Sequence, residues 1–89
     1  MMDYEAIIHS LIDPIVNNPE SILIRVSEGT NPKDVLILIC AEQEDASRLI
    51  GRKGTVANAL REVISVAGKN ENKRIHLKFE SFDEEEKED

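Results

Sequence analysis

Gly51, Arg52, Lys53 and Gly54 are the residues of this chain whose types and spacing best suit a chemical task, and that task is holding an anion. They lie inside "RLIGRKGTVANAL", residues 48–60. Glycines lack the Cβ atom that would keep a phosphate away from the backbone. The apolar-periodic stretch that follows reads as a helix, which places Gly54 and Thr55 at its N-terminus. Unbonded N–H groups and the positive end of the helix dipole favour an anion there. Arg52 can engage two phosphate oxygens through its planar guanidinium, and Lys53 adds a second charge. A tight helix–helix turn with solvated cations accounts for the loop alone equally well.

No other group of residues suggests reactive chemistry. His9 falls among the polar positions of a first helix and His76 on the outward side of a last strand. Neither has a nucleophile or metal ligand at a meaningful spacing, so both read as surface histidines. Cys40, the single cysteine, ends an apolar run and reads as a small buried hydrophobe. One cysteine permits neither an intrachain disulfide nor a zinc cluster. With no paired carboxylates and no nucleophile–base arrangement, the expectation is a protein that is not an enzyme and uses no metal or cofactor. The lysine-terminated phosphate loop of nucleotide hydrolases is also absent. Tyr4, Phe79 and Phe82 are too scattered for a base-stacking platform, which predicts weak, sequence-tolerant binding. Arg61, Lys69, Lys73, Arg74 and Lys78 are either solvated surface or an extension of a phosphate track.

A net charge of −7 over 89 residues argues against a nucleic-acid partner until its distribution is considered. Residues 1–47 carry 2 basic and 9 acidic side chains, residues 48–78 carry 8 basic and 2 acidic, and residues 79–89 carry 1 basic and 7 acidic. The acidic total hides a basic middle that contains the glycine loop. The closing "DEEEKED", residues 83–89, is a like-charge run read as a disordered tail, which aids solubility or visits the basic loop in competition with RNA. The acidic start lacks the cations of a signal peptide, and no apolar run reaches membrane-spanning length. A reducing cytoplasm is the expected location.

The elements that would position the loop follow from periodicity. Tyr4, Ile7, Ile8, Leu11, Ile12, Ile15 and Val16 repeat as one face of a helix, which Pro14 must either kink or divide. Residues 21–28 alternate as a half-buried strand, with Ile22, Ile24 and Val26 on one face. "GTNPKD" is turn chemistry, and "VLILIC", residues 35–40, is a well-buried strand, so the two strands predict a hairpin. Residues 42–50 suit a short helix. Val56, Leu60, Val63, Ile64 and Ala67 mark a second helix ended by Gly68. "RIHLKF" alternates, with Ile75, Leu77 and Phe79 inward. One mixed sheet with helices on one face buries all these stripes, an α+β arrangement.

"LIGRKG" and this element order together resemble the type II KH domain, α-β-β-α-α-β, over about residues 4–79. The whole is similar to the small single-KH RNA-binding proteins of bacteria, to which "NNPE" and "ED" ahead of "RLIGRKG" also correspond. Ser47 stands where those proteins often carry glycine. The resemblance implies a single KH domain over 1–82 and a three-stranded mixed sheet. It further implies that single-stranded RNA crosses the loop, with about four nucleotides clamped by their backbone. Ile50, Gly51, Arg52, Lys53 and Gly54 are then the motif positions, with Leu49, Val56 and the outward side chains of the last strand as candidate walls of an apolar groove. It implies, too, an RNA chaperone or post-transcriptional regulator that works with a second KH-containing protein or self-associates, with a role in cell-envelope and cell-length control. The rival reading is a protein-interaction subunit whose groove is not used for RNA.

Overall fold

The computed structural model describes residues 2–82; the acidic tail expected over 83–89 lies outside the described residues. Three helices and three strands follow in the order α1 (Tyr4–Ile12), β1 (Leu23–Glu28), β2 (Asp34–Ala41), α2 (Gln43–Ile50), α3 (Thr55–Asn70) and β3 (Arg74–Ser81), with single 3₁₀ turns at Pro19–Ser21 and Arg52–Gly54. β1 and β2 form the expected antiparallel hairpin, and β3 lies parallel to β2 on its other side, so the sheet is mixed. Alternation decides which face is covered. Ile24, Val35, Ile37, Ile39, Ala41 and Leu77 are buried beneath the helices, whereas Leu23, Leu36, His76 and Lys78 on the opposite face are exposed. The run 35–40 is therefore buried on one face only, and Leu36 remains 42% exposed. Cys40 is buried, as its position at the end of that run suggested.

α1 resolves the question raised by Pro14. The Asp3 carboxylate accepts a hydrogen bond from the Ala6 N–H at 3.1 Å and so caps the first turn. At the other end the helix stops at Ile12, because Pro14 has no N–H to continue the ladder. Residues 13–15 form a turn closed by Ile15 N–H donating to the Ile12 carbonyl at 2.8 Å. The helix is thus neither kinked nor divided in two. Asp13, at its C-cap, pairs with Nδ1 of His9 at 2.9 Å. His9, at the surface, thus has a structural partner one turn away.

Two further boundaries differ from the sequence reading. Ser21 belongs to the 3₁₀ turn rather than to β1. Gly68 does not end α3; the helix continues to Asn70 and Gly68 is buried inside it. A Cβ at Gly68 would lie 2.5 Å from Cγ1 of Ile75, so glycine here permits the close approach of α3 to β3. The stop comes from Asn72, at φ 61°. Lys73 N–H donates to the Gly68 carbonyl at 2.8 Å and Asn72 N–H to that of Lys69 at 3.0 Å, the two bonds of a Schellman cap with asparagine in the left-handed position.

Asp45 is the fold's main polar anchor, although as a first-turn acid of α2 it looked like ordinary helix decoration. It is 2% exposed, and its two oxygens accept from the Asn17 N–H at 2.8 Å and the Asn18 N–H at 3.0 Å. Those backbone bonds, Asn17's first, hold its pKa below the usual carboxylate value against the opposing effect of burial, with Arg48 contributing. The carboxylate ties the segment after α1 to the start of the helix that leads into the glycine loop.

Candidate nucleic-acid interface

The glycine loop is shaped by two glycines for different reasons. Gly51 closes α2, its N–H donating to the Ser47 carbonyl at 2.9 Å, and turns away at φ 76°. A Cβ on Gly51 would meet Val56 N at 2.8 Å and Val56 Cγ2 at 2.5 Å, so both conformation and space demand glycine. Gly54, at φ 78°, has nothing within 4 Å of where a Cβ would stand; conformation alone favours glycine there. Between them Lys53 also takes a left-handed conformation, at φ 56°. That is an uncommon state for a residue with a side chain, and the surrounding turn imposes it.

The consequence is a turn that presents donors outward. Gly54 N–H bonds to the Gly51 carbonyl at 3.2 Å and Thr55 N–H to that of Arg52. No carbonyl among the described residues accepts from the N–H groups of Arg52 or Lys53. Gly54, as N-cap of α3, has no side chain to satisfy the first-turn donors behind it. Arg52 and Lys53 are both exposed, and neither is in a salt bridge among the described residues. Successive outward N–H groups, two uncompensated cations and the positive end of a 16-residue helix therefore coincide at one place.

The apolar candidates separate on burial. Ile50 is 39% exposed beside the loop, and Val56 is half-buried at the start of α3. Leu49 is fully buried, so it is core beneath the loop and not part of a groove surface. On β3, Arg74, His76 and Lys78 project outward as the alternation required. Arg74 Nε and His76 Nε2 both meet Oδ1 of Asp34, at 2.9 Å and 3.2 Å, which fastens the start of β3 to β2. The His76 bond, ahead of the Arg74 charge and bond, holds the Asp34 pKa below its ordinary value despite partial desolvation.

Arg61 does more than the sequence indicated. Its Nε donates to the Leu77 carbonyl at 3.2 Å, Nη1 donates to Oδ1 of Asn58 at 3.2 Å, and the guanidinium carbon lies 5.8 Å from the centre of the Phe79 ring. β3 is an edge strand, so Arg61 caps one of its outward carbonyls about 10 Å along α3 from Gly54. The loop and this strand edge thus flank the N-terminal half of α3. Nothing local in the sequence marks Arg61 for that contact, because its partners are 16 and 18 residues away.

The comparisons with known proteins agree with this geometry. The family described as "KhpA/KhpB, KH domain" matches residues 5–79. An RNA-binding protein KhpA of Listeria monocytogenes is 30% identical over 75 residues, which cover 84% of this chain and 96% of that protein. The protein of the same name from Oceanobacillus iheyensis is 32% identical, covering 82% and 95%, and that from Lactiplantibacillus plantarum 31% identical, covering 90% and 92%. No solved structure gives a significant match.

Proposed function

Because the chain belongs to the KhpA/KhpB family of KH domains, we propose that it is a single-stranded RNA-binding protein and that the glycine loop is its phosphate clamp. The observation that carries this reading is the coincidence, at one turn, of the unbonded N–H groups of Arg52 and Lys53 with their two uncompensated side chains. A phosphodiester run matches such a surface: each phosphate accepts backbone and side-chain donors together, without any base being read. Gly51 and Gly54 let the sugar–phosphate chain approach, and Ile50 and Val56 offer apolar surface to the bases. About four nucleotides fill a clamp of this kind, and sequence preference is low because aromatic stacking is sparse.

The cellular assignment is part of the same proposal. The protein acts in the cytoplasm as an RNA chaperone or post-transcriptional regulator, together with a second KH-containing protein, in control of the cell envelope and cell length. Support for the partner comes from the family description, which joins two proteins, and from the resemblance to small single-KH proteins. No helix among the described residues is long and apolar enough to cross a membrane.

Fluorescence anisotropy with a labelled single-stranded RNA, titrated at several salt concentrations, tests the reading. Four phosphate contacts predict a slope of about −2 to −3 in log affinity against log salt. A flat line would assign the binding to apolar contacts. Absence of RNA binding at low salt would instead favour a protein-interaction subunit.

A further inference from the structure

At the opposite end of α3 from the glycine loop, the first turn of α1, the end of β1 and the turn after α3 enclose a cavity of about 290 Å³. Met2, Val26, Val35 and the Tyr4 ring give it apolar walls. Val26 lies, by alternation, on the covered face of the sheet with Ile24, yet it is 42% exposed, because no helix closes this corner. Tyr4 is 7% exposed, and its hydroxyl is sealed from bulk water with no hydrogen-bond partner among the described residues. Buried hydroxyls are nearly always paired, and leaving one unpaired weakens the fold. The hydroxyl is therefore a polar group held ready in an otherwise apolar hole.

The rim supplies a sign. Asp3, Glu5, Glu28 and Glu71 surround the cavity, and none of the four is in a salt bridge among the described residues. Asp3 also serves as the cap of α1. Lys73 is the one cation lining the cavity, and its ammonium donates to the Pro32 carbonyl at 3.1 Å. Beyond it a separate depression collects Lys33, Lys69 and Arg74, the last already engaged with Asp34. Burial, and after it the charge of Glu71, push the Tyr4 pKa up, so the phenol stays protonated and Glu71 is placed within electrostatic reach of it.

We propose that this cavity is a docking site for a protein partner that inserts one basic side chain, arginine or lysine. The methylene stem packs on Met2, Val26 and Val35. The charged head sits among the four carboxylates, and one of its N–H groups donates to Tyr4 Oη. Apolar stem and charged tip are how such side chains normally partition between apolar wall and polar rim. Charge complementarity selects the occupant: four carboxylates repel a phosphate chain and attract a cation. The 16 residues of α3 separate this site from the glycine loop by about 24 Å, so a protein partner and RNA can be held at once.

An NMR titration of the full chain with the peptide acetyl-Gly-Ser-Arg-Ser-Gly-amide, and with its citrulline counterpart, tests the proposal. Citrulline keeps the shape of arginine and removes the charge. The arginine peptide is expected to shift the amides of Met2, Asp3, Tyr4, Glu28 and Glu71, and to bind at least fivefold more tightly than the citrulline peptide. Tyr4→Phe weakens the arginine peptide about fivefold, the loss of one net hydrogen bond, and leaves the melting temperature equal or higher because an unpartnered hydroxyl is gone. Glu28→Gln with Glu71→Gln weakens it several-fold at low salt and leaves the fold intact, both side chains being exposed. Equal affinity of the two peptides, full affinity in Tyr4→Phe, or shifts confined to other residues would each overturn the proposal.

Discussion

At its N-terminus α3 starts on Gly54 in a left-handed conformation, with donors left open and two cations beside them. At its C-terminus the chain closes a Schellman turn over Asn72 and places Glu71 on the rim of an acidic cavity. The backbone polar groups at the second end are used by the cap, so recognition there falls to side chains. At the first end the backbone itself is the recognition surface. Each end carries side-chain charge of the same sign as its end of the helix dipole, a cost that each leaves open for an opposite charge to relieve. One helix thus separates a site suited to polyanions from a site suited to a cation.

Reversing the charge of the first end breaks the comparison most severely. Arg52→Asp with Lys53→Asp removes two charge-assisted contacts, each worth about 1.5–3 kcal/mol, and RNA affinity at low salt should fall more than a hundredfold. The melting temperature should stay within about 2 °C, since both side chains are exposed and unpaired. Unchanged RNA affinity in a folded variant removes the loop from the interface.

The two glycines sharpen it next. Gly51→Ala combines left-handed strain with a clash on Val56 and should cost about 3 kcal/mol in denaturant unfolding. Gly54→Ala carries the strain alone and should cost about 1–2 kcal/mol. Equal costs would mean that Val56 moves aside easily. At the other end, Gly68→Ala gains helix propensity but overpacks Ile75, for a net loss of about 1 kcal/mol with RNA affinity unaltered.

The smallest effect is the pH dependence. Asp45 and Asp34 have pKa values lowered by folding, so the stability they contribute is present above the ordinary carboxylate pKa of about 3.9 and is lost as pH falls through their folded values. Asp45→Asn should lower the melting temperature at neutral pH by several degrees and flatten its decline below pH 4. An acid transition of wild-type steepness in that variant would show that other groups control it.

Much of this was legible in local pattern. The loop's position between two helices, the hairpin, and the facing of Ile75, Leu77 and Phe79 each depend on neighbours within a few residues, and each is where periodicity placed it. Gly68 misled because a glycine late in a helix signals a stop, whereas this one serves a contact with β3. Leu49 looked like groove and is core, because periodicity places a residue on a helix face without saying how completely that face is covered. Val26 erred in the opposite direction: alternation put it on the core side, but the helices end short of it.

By itself, then, the sequence determined the element order, the glycine turn and the basic segment that carries it, all set by backbone preference and charge close along the chain. The tertiary structure alone decided what long-range packing decides. It brought Asp45 to the N–H groups of residues 27 and 28 positions away, and Arg61 to the outer edge of β3. It also closed apolar walls around the Tyr4 hydroxyl without giving it a partner among the described residues. Hydrogen bonding and desolvation act through space, and no residue's neighbours in sequence disclose which distant group will meet it or fail to.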